Sequence, residues 1–306
     1  DRVYPVCFGL HQSKQGIPCL LWLTPKQTPI IDLKYFASCR GRGAYMEFQV
    51  KCKCGSSISV REEDVFKEIR CPFCGKSYLL SELDADLYKL YYSRRKAEFE
   101  ISNQSIKKYS GVGGKVLIPN DVFSVSDRAF ARNGNVEYVV CPSSLKNIGS
   151  EAFNSCLGLK EVGLEEGLET IGERAFGGCR ALGKINIPAS VTLVGDEAFV
   201  ECKGVTKLTF AAGCKAAIGK SAFEGLEKLT EVELREGMRA DEYAFNACES
   251  LGKVVLGGEV TLKDNAFAGC GALTVYIAAK KGLLTPKWFN PKAFGKNVKI
   301  VWNYKQ

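Results

Sequence analysis

A repeated unit decides the fold, and it is clearest in the stretch Ile171-Gly-Glu-Arg-Ala-Phe176-Gly-Gly-Cys179-Arg-Ala-Leu182-Gly-Lys-Ile185-Asn-Ile187-Pro188. Its Ala-Phe pair recurs every 22 to 24 residues, and a weaker eighth copy follows after 27 residues. The phenylalanines of the eight copies are Phe130, Phe153, Phe176, Phe199, Phe223, Phe245, Phe267 and Phe294. A period of this length indicates a solenoid, in which each coil buries its inward face against its neighbours.

The second half of each unit predicts a strand. From Leu182 to Ile187 the apolar residues fall at alternate positions, which is typical of a short strand stacked in parallel on the same segment of its neighbours. Pro188 then turns the chain, and the Ala-Phe piece is expected to form a tight helical turn on the outer wall. The sequence therefore predicts an α/β solenoid, a leucine-rich repeat stack with a parallel sheet.

The outward positions of these strands form one continuous face, which suits an extended protein surface. The candidate partner-binding residues are Tyr138, Glu161, Lys184, Asn186, Lys207, Thr209, Glu231, Glu233, Lys253, Val255 and Tyr276. They mix both signs of charge with few aromatics, so the sequence indicates neither an acidic nor a basic ligand class. The alternative is that they are solvated residues without a dedicated partner.

Five cysteines hold one position of the repeat, three residues after the phenylalanine. They are Cys156, Cys179, Cys202, Cys248 and Cys270. This placement predicts small buried apolar residues rather than a reactive set. So many unpaired thiols favour a reducing compartment, and hence a cytoplasmic location.

The repeats resemble the BspA-type leucine-rich repeats (the LRR_5 class) over roughly residues 98–302. The stretch from Ile106 to Pro119 resembles the hairpin that opens such arrays and covers their first coil. The resemblance implies a bacterial, non-catalytic protein that binds other proteins. Known members are surface proteins of bacteria and protozoa, which makes the cell surface the alternative location.

Two close cysteine pairs lie upstream of the repeats, in Cys52-Lys-Cys54-Gly55 and Cys71-Pro-Phe-Cys74-Gly75. Sixteen residues separate the pairs, and the glycine after each pair permits a tight turn. Four thiolates spaced in this way can surround one Zn²⁺ in a closed, structural site. The pattern resembles the short zinc-ribbon modules of many bacterial proteins and covers about residues 47–80. We therefore expect a small β zinc ribbon that holds structural Zn²⁺.

A thiol oxidoreductase is the rival interpretation of Cys71-Pro-Phe-Cys74, since glutaredoxins carry a Cys-Pro-aromatic-Cys motif. A redox motif of that kind requires a helix that opens at the motif, which lowers the thiol pKa. Here another cysteine pair precedes the motif and a different domain follows it. The sequence favours zinc and predicts no enzyme and no small-molecule substrate.

Four segments follow from these patterns. Residues 1–45 are predicted to be an irregular leader, and Met46 is the candidate natural start. We expect residues 46–80 to form the ribbon, residues 81–97 a connecting helix, and residues 98–306 the solenoid with its caps. The helix prediction depends on the capping pattern Ser81-Glu-Leu-Asp84 and on leucines spaced along one helical face.

Charge and composition exclude several functions. Half of the net charge of +8 falls in residues 1–45, and the remainder is spread in mixed signs, as on a solvated surface. A nucleic-acid-associated regulator, acting through the ribbon and Arg94-Arg-Lys96, remains the second hypothesis. The single histidine, His11, excludes mechanisms that need several histidines, and no apolar run reaches the length of a membrane span.

Overall fold

The computed structural model describes residues 47–61, 69–78, 98–278 and 288–302. The chain divides into two compact units, Asp1–Arg94 and Arg95–Gln306. Four of the predictions lie outside the described residues: the leader (1–45), the start at Met46, the connecting helix (81–97) and the basic run Arg94 to Lys96.

Two β-hairpins make up the described part of the first unit. Strand β1 (Glu47–Lys51) pairs with β2 (Ser57–Arg61), and β3 (Ile69–Arg70) pairs with β4 (Ser77–Tyr78), both antiparallel. Each hairpin turn carries one of the two cysteine pairs. The hairpins bury few apolar side chains, among them Val50, Ile58 and Val60. Two hairpins with so few buried apolar side chains between them need a further source of stability.

The second unit is a solenoid in which each described coil contributes a short strand and a long strand, except the last, which contributes a long strand alone. The short strands are β6 (Ser105–Tyr109), β8 (Ser124–Val125), β10 (Asn147–Ile148), β12 (Thr170–Ile171), β14 (Leu193–Val194), β16 (Ala217–Ile218), β18 (Arg239–Ala240) and β20 (Thr261–Leu262). They stack in parallel into one sheet, and β5 (Phe99–Ser102) adds an antiparallel edge to β6. This short-strand sheet is continuous over nine strands.

The long strands are β7 (Gly114–Leu117), β9 (Val136–Val140), β11 (Glu161–Gly163), β13 (Lys184–Ile187), β15 (Lys207–Phe210), β17 (Glu231–Leu234), β19 (Lys253–Leu256), β21 (Leu273–Ile277) and β22 (Val298–Trp302). They also run parallel, but they form two sheets, one of five strands that ends at β15 and one of four that begins at β17. The long-strand sheet is therefore interrupted once within the described residues.

The phenylalanines of the repeat stack through the middle of the solenoid. Ring centroids of successive copies, from Phe130 to Phe294, lie 4.5 to 5.4 Å apart, and most ring pairs are nearly parallel. Tyr109 extends the stack at the first coil, with a centroid distance of 4.8 Å to Phe130. The inward residues of both strand sets surround this stack and complete one continuous core.

The helical part of the predicted α/β class is wrong. Within the described ranges, the sole helical element is a 3-10 turn at Pro291–Ala293, and the Ala-Phe pieces are chains of turns. Two residues around each of the first seven phenylalanines have positive φ, as at Arg174 (50°) and Gly178 (69°) on either side of Phe176. Left-handed residues end a right-handed helix. The amides of these pieces instead donate to carbonyls of the next coil, for example Phe176 N–H to Ala198 O at 2.8 Å.

The opening hairpin lies earlier than predicted. Strands β5 and β6 form it, with Asn103 and Gln104 at positive φ in the turn. The stretch Ile106 to Pro119 is not a hairpin, because β6 joins the short-strand sheet whereas β7 pairs with β9 in the other sheet. The first coil is thus closed by residues just ahead of those expected.

Candidate functional site

Both cysteine pairs lie in turns of the same construction. In each turn, the amide N–H of the first cysteine donates to a carbonyl across the turn, from Cys52 to Ser56 O and from Cys71 to Lys76 O, both at 2.9 Å. The following glycine donates back to the carbonyl of that first cysteine. Gly55 and Gly75 have φ of 92° and 71°, a conformation that glycine adopts without strain.

The two turns bring four sulfurs together. The Sγ atoms of Cys52, Cys54, Cys71 and Cys74 all lie within 4.8 Å of one another. Cys52 Sγ lies 3.7 Å from Cys74 Sγ, and Cys54 Sγ lies 3.8 Å from Cys71 Sγ. Four sulfurs at the usual Zn–S distance of about 2.3 Å would be separated by about 3.8 Å at the corners of a tetrahedron. The donor set therefore fits a tetrahedral metal ion in both chemistry and size.

Local hydrogen bonds and burial shift the pKa values of the clustered thiols in opposite directions. Hydrogen bonding with the hydroxyl and the backbone of Ser56 lowers the pKa of Cys54 to about 6. The backbone N–H of Cys74 is the main cause that lowers the pKa of Cys71. The Cys54 amide acts in the same sense on Cys52, but burial and the adjacent thiols outweigh it and raise the pKa of Cys52 to about 11. Cys54 and Cys71 therefore lose their protons more readily than Cys52 does.

The geometry around Cys71 does not match a redox motif. Cys71 is followed by a turn and then by strand β4, whereas a glutaredoxin-type motif opens a helix. Cys71 is also fully buried, and its thiol contacts the sulfur of Cys54 from the other pair. The oxidoreductase hypothesis therefore lacks the local structure that it requires.

The cysteines of the solenoid serve packing. At the repeat position, five cysteines each donate the thiol hydrogen to the carbonyl of the phenylalanine in the preceding coil, at sulfur–oxygen distances of 3.1 to 3.3 Å: Cys156, Cys179, Cys202, Cys248 and Cys270. Burial raises the pKa of Cys156 to about 12, so this thiol stays protonated at neutral pH. All described cysteines are free thiols. The repeat position is thus a buried hydrogen-bonding position, where the sequence suggested an apolar one.

The predicted partner-binding residues occupy the outward side of the long strands, which we call the long-strand face. Along β13, for example, Lys184 and Asn186 are exposed while Ile185 and Ile187 are buried. The register places Lys184 beside Lys207 and Asn186 beside Thr209, whose hydroxyl lies 2.5 Å from the Asn186 amide oxygen. The strands therefore align these residues in rows across the coils.

A cleft opens in this face where the long-strand sheet is interrupted, between β15 and β17. Its volume is about 800 Å³. Seven of the predicted partner-binding residues line it: Lys184, Lys207, Thr209, Glu231, Glu233, Lys253 and Val255. The other four, Tyr138, Glu161, Asn186 and Tyr276, are not among its lining residues.

Arg235 also lines the cleft and was not predicted. After several other long strands, the next backbone N–H donates to the preceding strand, as from Ala211 to Ile187 O and from Gly257 to Leu234 O, both at 2.9 Å. At the interruption, the Nε of Arg235 donates to Phe210 O at 2.9 Å, and the Arg235 amide faces Met238 Sδ instead. A side chain thus replaces the backbone bond that would continue the sheet.

The spacing of the sequence holds a signal for the interruption. We measure each connection from the last inward residue at a long strand to the buried residue of the next short strand. Three successive connections are seven residues long: Cys141 to Ile148, Leu164 to Ile171 and Ile187 to Val194. The advance is eight residues from Phe210 to Ile218 and six from Leu234 to Ala240. The interruption of the long-strand sheet therefore lies between the connection of eight residues and the following connection of six residues. The short-strand sheet remains continuous there.

Comparison with known families identifies the repeats. The model of the BspA type leucine rich repeat region matches residues 109–216 and 181–292, which together span more than half of the chain. The chain belongs to this family. The part of the BspA-type chain before residue 109 lies outside the match, so the family says nothing about the cysteine cluster.

The chain is also similar to solved structures of leucine-rich repeat proteins. A leucine-rich repeat protein of T. pallidum is 26% identical, with a TM-score of 0.52 over 58% of this chain and 88% of that one. A leucine-rich repeat protein of Bacteroides ovatus is 18% identical, with a TM-score of 0.41 over 64% of each chain. No curated protein matches the chain. Within the described ranges, no helix has the length and apolarity to cross a membrane.

Proposed function

We propose that this BspA-type protein binds another protein through its long-strand face and performs no catalysis. Leucine-rich repeat proteins generally mediate protein–protein interaction, and the matched family is not one of enzymes. One observation carries the choice of face: the cleft of about 800 Å³ lies in it and is lined by seven of the eleven residues predicted from sequence. A sheet face with such a cleft offers a partner both a broad contact area and a concave site for a side chain.

The test compares two matched pairs of substitutions. Thr209 and Asn186 are hydrogen-bonded on the long-strand face, and Thr170 and Asn147 form the same bond, at 2.7 Å, on the short-strand sheet. We expect a protein partner from the native host to co-purify with the full chain and with Asn147→Arg/Thr170→Arg. We expect it to be lost with Asn186→Arg/Thr209→Arg, because the new side chains block the face.

Partners that are retained by both double variants, or lost from both, would exclude the long-strand face as the binding surface. Circular dichroism of each variant provides the control for folding. Because both pairs add two arginines, a difference between them cannot come from net charge alone.

We further propose that Cys52, Cys54, Cys71 and Cys74 hold one structural Zn²⁺. The mutual sulfur distances below 4.8 Å support this proposal, and so does the small apolar core of the two hairpins. Four protein ligands leave no open coordination position for substrate. In a unit of this size, metal binding supplies much of the folding free energy.

Metal analysis of the full chain tests the zinc proposal. We expect about one zinc per chain, lost in Cys52→Ser/Cys71→Ser and retained in Cys270→Ser, whose thiol lies in the solenoid. The thermal transition of the solenoid should stay unchanged in the double variant. Equal zinc contents in the wild type and the double variant would refute the proposed site.

We propose a reducing compartment as the working environment, since eleven described cysteines are free thiols. The cell surface, where BspA-type proteins often occur, is the alternative. Alkylation of the protein isolated from its native host, without prior reduction, distinguishes the two. Labelling of all cysteines after denaturation and metal removal supports the proposal, and protected pairs that require a reductant contradict it.

A further inference from the structure

The charges inside the cleft are unequal. Four cations line it, Lys184, Lys207, Arg235 and Lys253, against the two carboxylates Glu231 and Glu233. Both carboxylates already have cationic neighbours. Lys253 Nζ lies 3.2 Å from a Glu231 oxygen, and a guanidinium nitrogen of Arg235 lies 3.2 Å from a Glu233 oxygen. The excess positive charge therefore resides on the two remaining lysines.

Lys184 and Lys207 lie directly opposite each other on adjacent strands, β13 and β15. Within the described ranges, neither ammonium group has a carboxylate within 4 Å. Glu161 occupies the next position of the same row, on β11, but forms no ion pair with Lys184. Like charges that are directly opposite in a sheet are destabilising. An anionic group bound between the two lysines would relieve this repulsion.

One outward position of the cleft is apolar. Val255 occupies it and is 7% exposed, whereas Leu208, Phe210 and Val232 of the lining lie on the buried side of their strands. A suitable ligand thus presents carboxylates together with an apolar side chain. A peptide segment in which acidic and apolar residues alternate has this chemistry.

The same cleft suits a nucleic acid poorly. Its two cations without a carboxylate partner in the described part of the chain, Lys184 and Lys207, form one pair, which matches a short acidic segment better than a continuous line of phosphates. Phe210, the one aromatic residue of the lining, is buried and therefore provides no exposed ring on which a base could stack. These features favour a protein partner with a short acidic segment.

We propose that the cleft binds an extended acidic segment of a protein partner, with carboxylates on Lys184 and Lys207 and an apolar side chain over Val255. This inference rests on the proposed function and names the chemistry of the partner. The cleft volume of about 800 Å³ falls within the range of about 300–1,000 Å³ that is usual for ligand sites.

Fluorescence anisotropy with the full chain tests this inference. The probe is a labelled peptide of sequence Glu-Leu-Asp-Leu-Glu, compared with its amide twin Gln-Leu-Asn-Leu-Gln and with an oligothymidylate of the same length. We expect the acidic peptide to bind at least tenfold more tightly than the amide twin. Lys184→Glu/Lys207→Glu should weaken that binding at least tenfold.

The matched control is Lys107→Glu/Lys108→Glu, which makes the same charge change on two exposed neighbouring lysines of β6. We expect this variant to bind the acidic peptide as the wild type does. Equal losses in both double variants, or equal binding of the two peptides, would overturn the proposal. Tighter binding of the oligothymidylate would reject a protein segment in favour of a nucleic acid.

The two proposals fail in different ways. Suppose that the partner is lost with Asn186→Arg/Thr209→Arg but still binds Lys184→Glu/Lys207→Glu as it binds the wild type. The long-strand face is then the interface, and the proposal of an acidic segment is wrong. If no partner depends on Asn186 and Thr209, the proposed function itself fails.

Discussion

Single residues with left-handed backbone give each coil its shape. The positions two residues before and two residues after the repeated phenylalanine have positive φ in coil after coil, for example Tyr243 (60°) and Ala247 (54°) around Phe245. Arginine, glutamate, serine, tyrosine and asparagine occupy many of these positions, where a left-handed conformation costs about 1–2 kcal/mol per residue. The amide bonds between coils offset that cost.

Substitutions at two of these positions should have opposite effects. Gly178→Ala should lower the free energy of unfolding by about 1–2 kcal/mol, because alanine resists the φ of 69°. A Cβ at Gly178 meets only ordinary contacts, 3.6 Å or more from Ser155, so backbone strain is the cause measured. Ala247→Gly should leave the free energy unchanged or raise it by up to about 1 kcal/mol. Urea denaturation measures both, and destabilisation by Ala247→Gly would contradict the account.

The buried thiols predict a dependence of stability on pH. Burial raises the pKa of Cys141 and Cys156 from 9.0 to about 12, whereas the unfolded chain keeps ordinary values. Above pH 9 the unfolded state therefore loses protons that the folded state retains, and stability falls until about pH 12. The loss is about 1.4 kcal/mol per pH unit for each thiol.

Cys141→Val/Cys156→Val should consequently flatten the decline in unfolding free energy between pH 9 and pH 10.5. Other groups titrate in this range, so the informative quantity is the difference in slope between the wild type and the double variant. Parallel slopes would show that these two thiols do not control the alkaline decline.

At the scale of elements, the long strands vary more than the short ones. Both sets stack in parallel, but among the residues that the structure describes only the long-strand sheet is interrupted, and the side chain of Arg235 spans the interruption. The connections before and after it differ by two residues in length. Because of this difference in length, two neighbouring long strands do not pair, whereas the short strands pair without a break.

Arg235→Met should remove the hydrogen bond to Phe210 O while keeping much of the aliphatic contact. We expect a loss of about 1–3 kcal/mol in the free energy of unfolding, since the Phe210 carbonyl loses a charged donor. Lys215→Met, at an exposed position in the preceding connection, should change the free energy by no more than about 0.5 kcal/mol. Equal effects of the two substitutions would show that the Arg235 bond contributes nothing.

The sequence predicted these elements unevenly, for physical reasons. The long strands followed from alternating apolar residues such as Ile185 and Ile187, because a period of two leaves one face buried. The four clustered thiols followed from the Cys-x-Cys and Cys-x-x-Cys spacing. The turns around Phe176 were mistaken for helix, because Arg174 gives no sign of a left-handed conformation. The cleft was not foreseen, since it depends on small differences in connection length between coils.

At the scale of the whole molecule, one aromatic stack connects the described coils. From Tyr109 through the repeated phenylalanines to Phe294, each ring contacts the next, and Phe289 and Trp302 lie at the end. Every coil thus completes the core of its neighbour, which is why a single coil has no stability of its own.

Phe176→Ala should therefore destabilise the solenoid by about 3–5 kcal/mol, because it leaves a cavity in the middle of the stack. Leu193→Ala, at a position that is 44% exposed, should cost less than about 1 kcal/mol. Urea denaturation followed by circular dichroism measures both. Similar effects of the two substitutions would contradict the role of the stack.

We propose that the long-strand face is the surface through which the molecule binds its partner. Hydroxyl-radical footprinting of the full chain with its captured partner tests this proposal. Tyr138 lies on that face, and Leu193 lies on the outward side of the short-strand sheet; both are similarly exposed, 37% and 44%. The account predicts that the partner protects Tyr138, Lys207 and Tyr276 from oxidation and leaves Leu193 unchanged. Protection of Leu193 with no change at the long-strand face would contradict it.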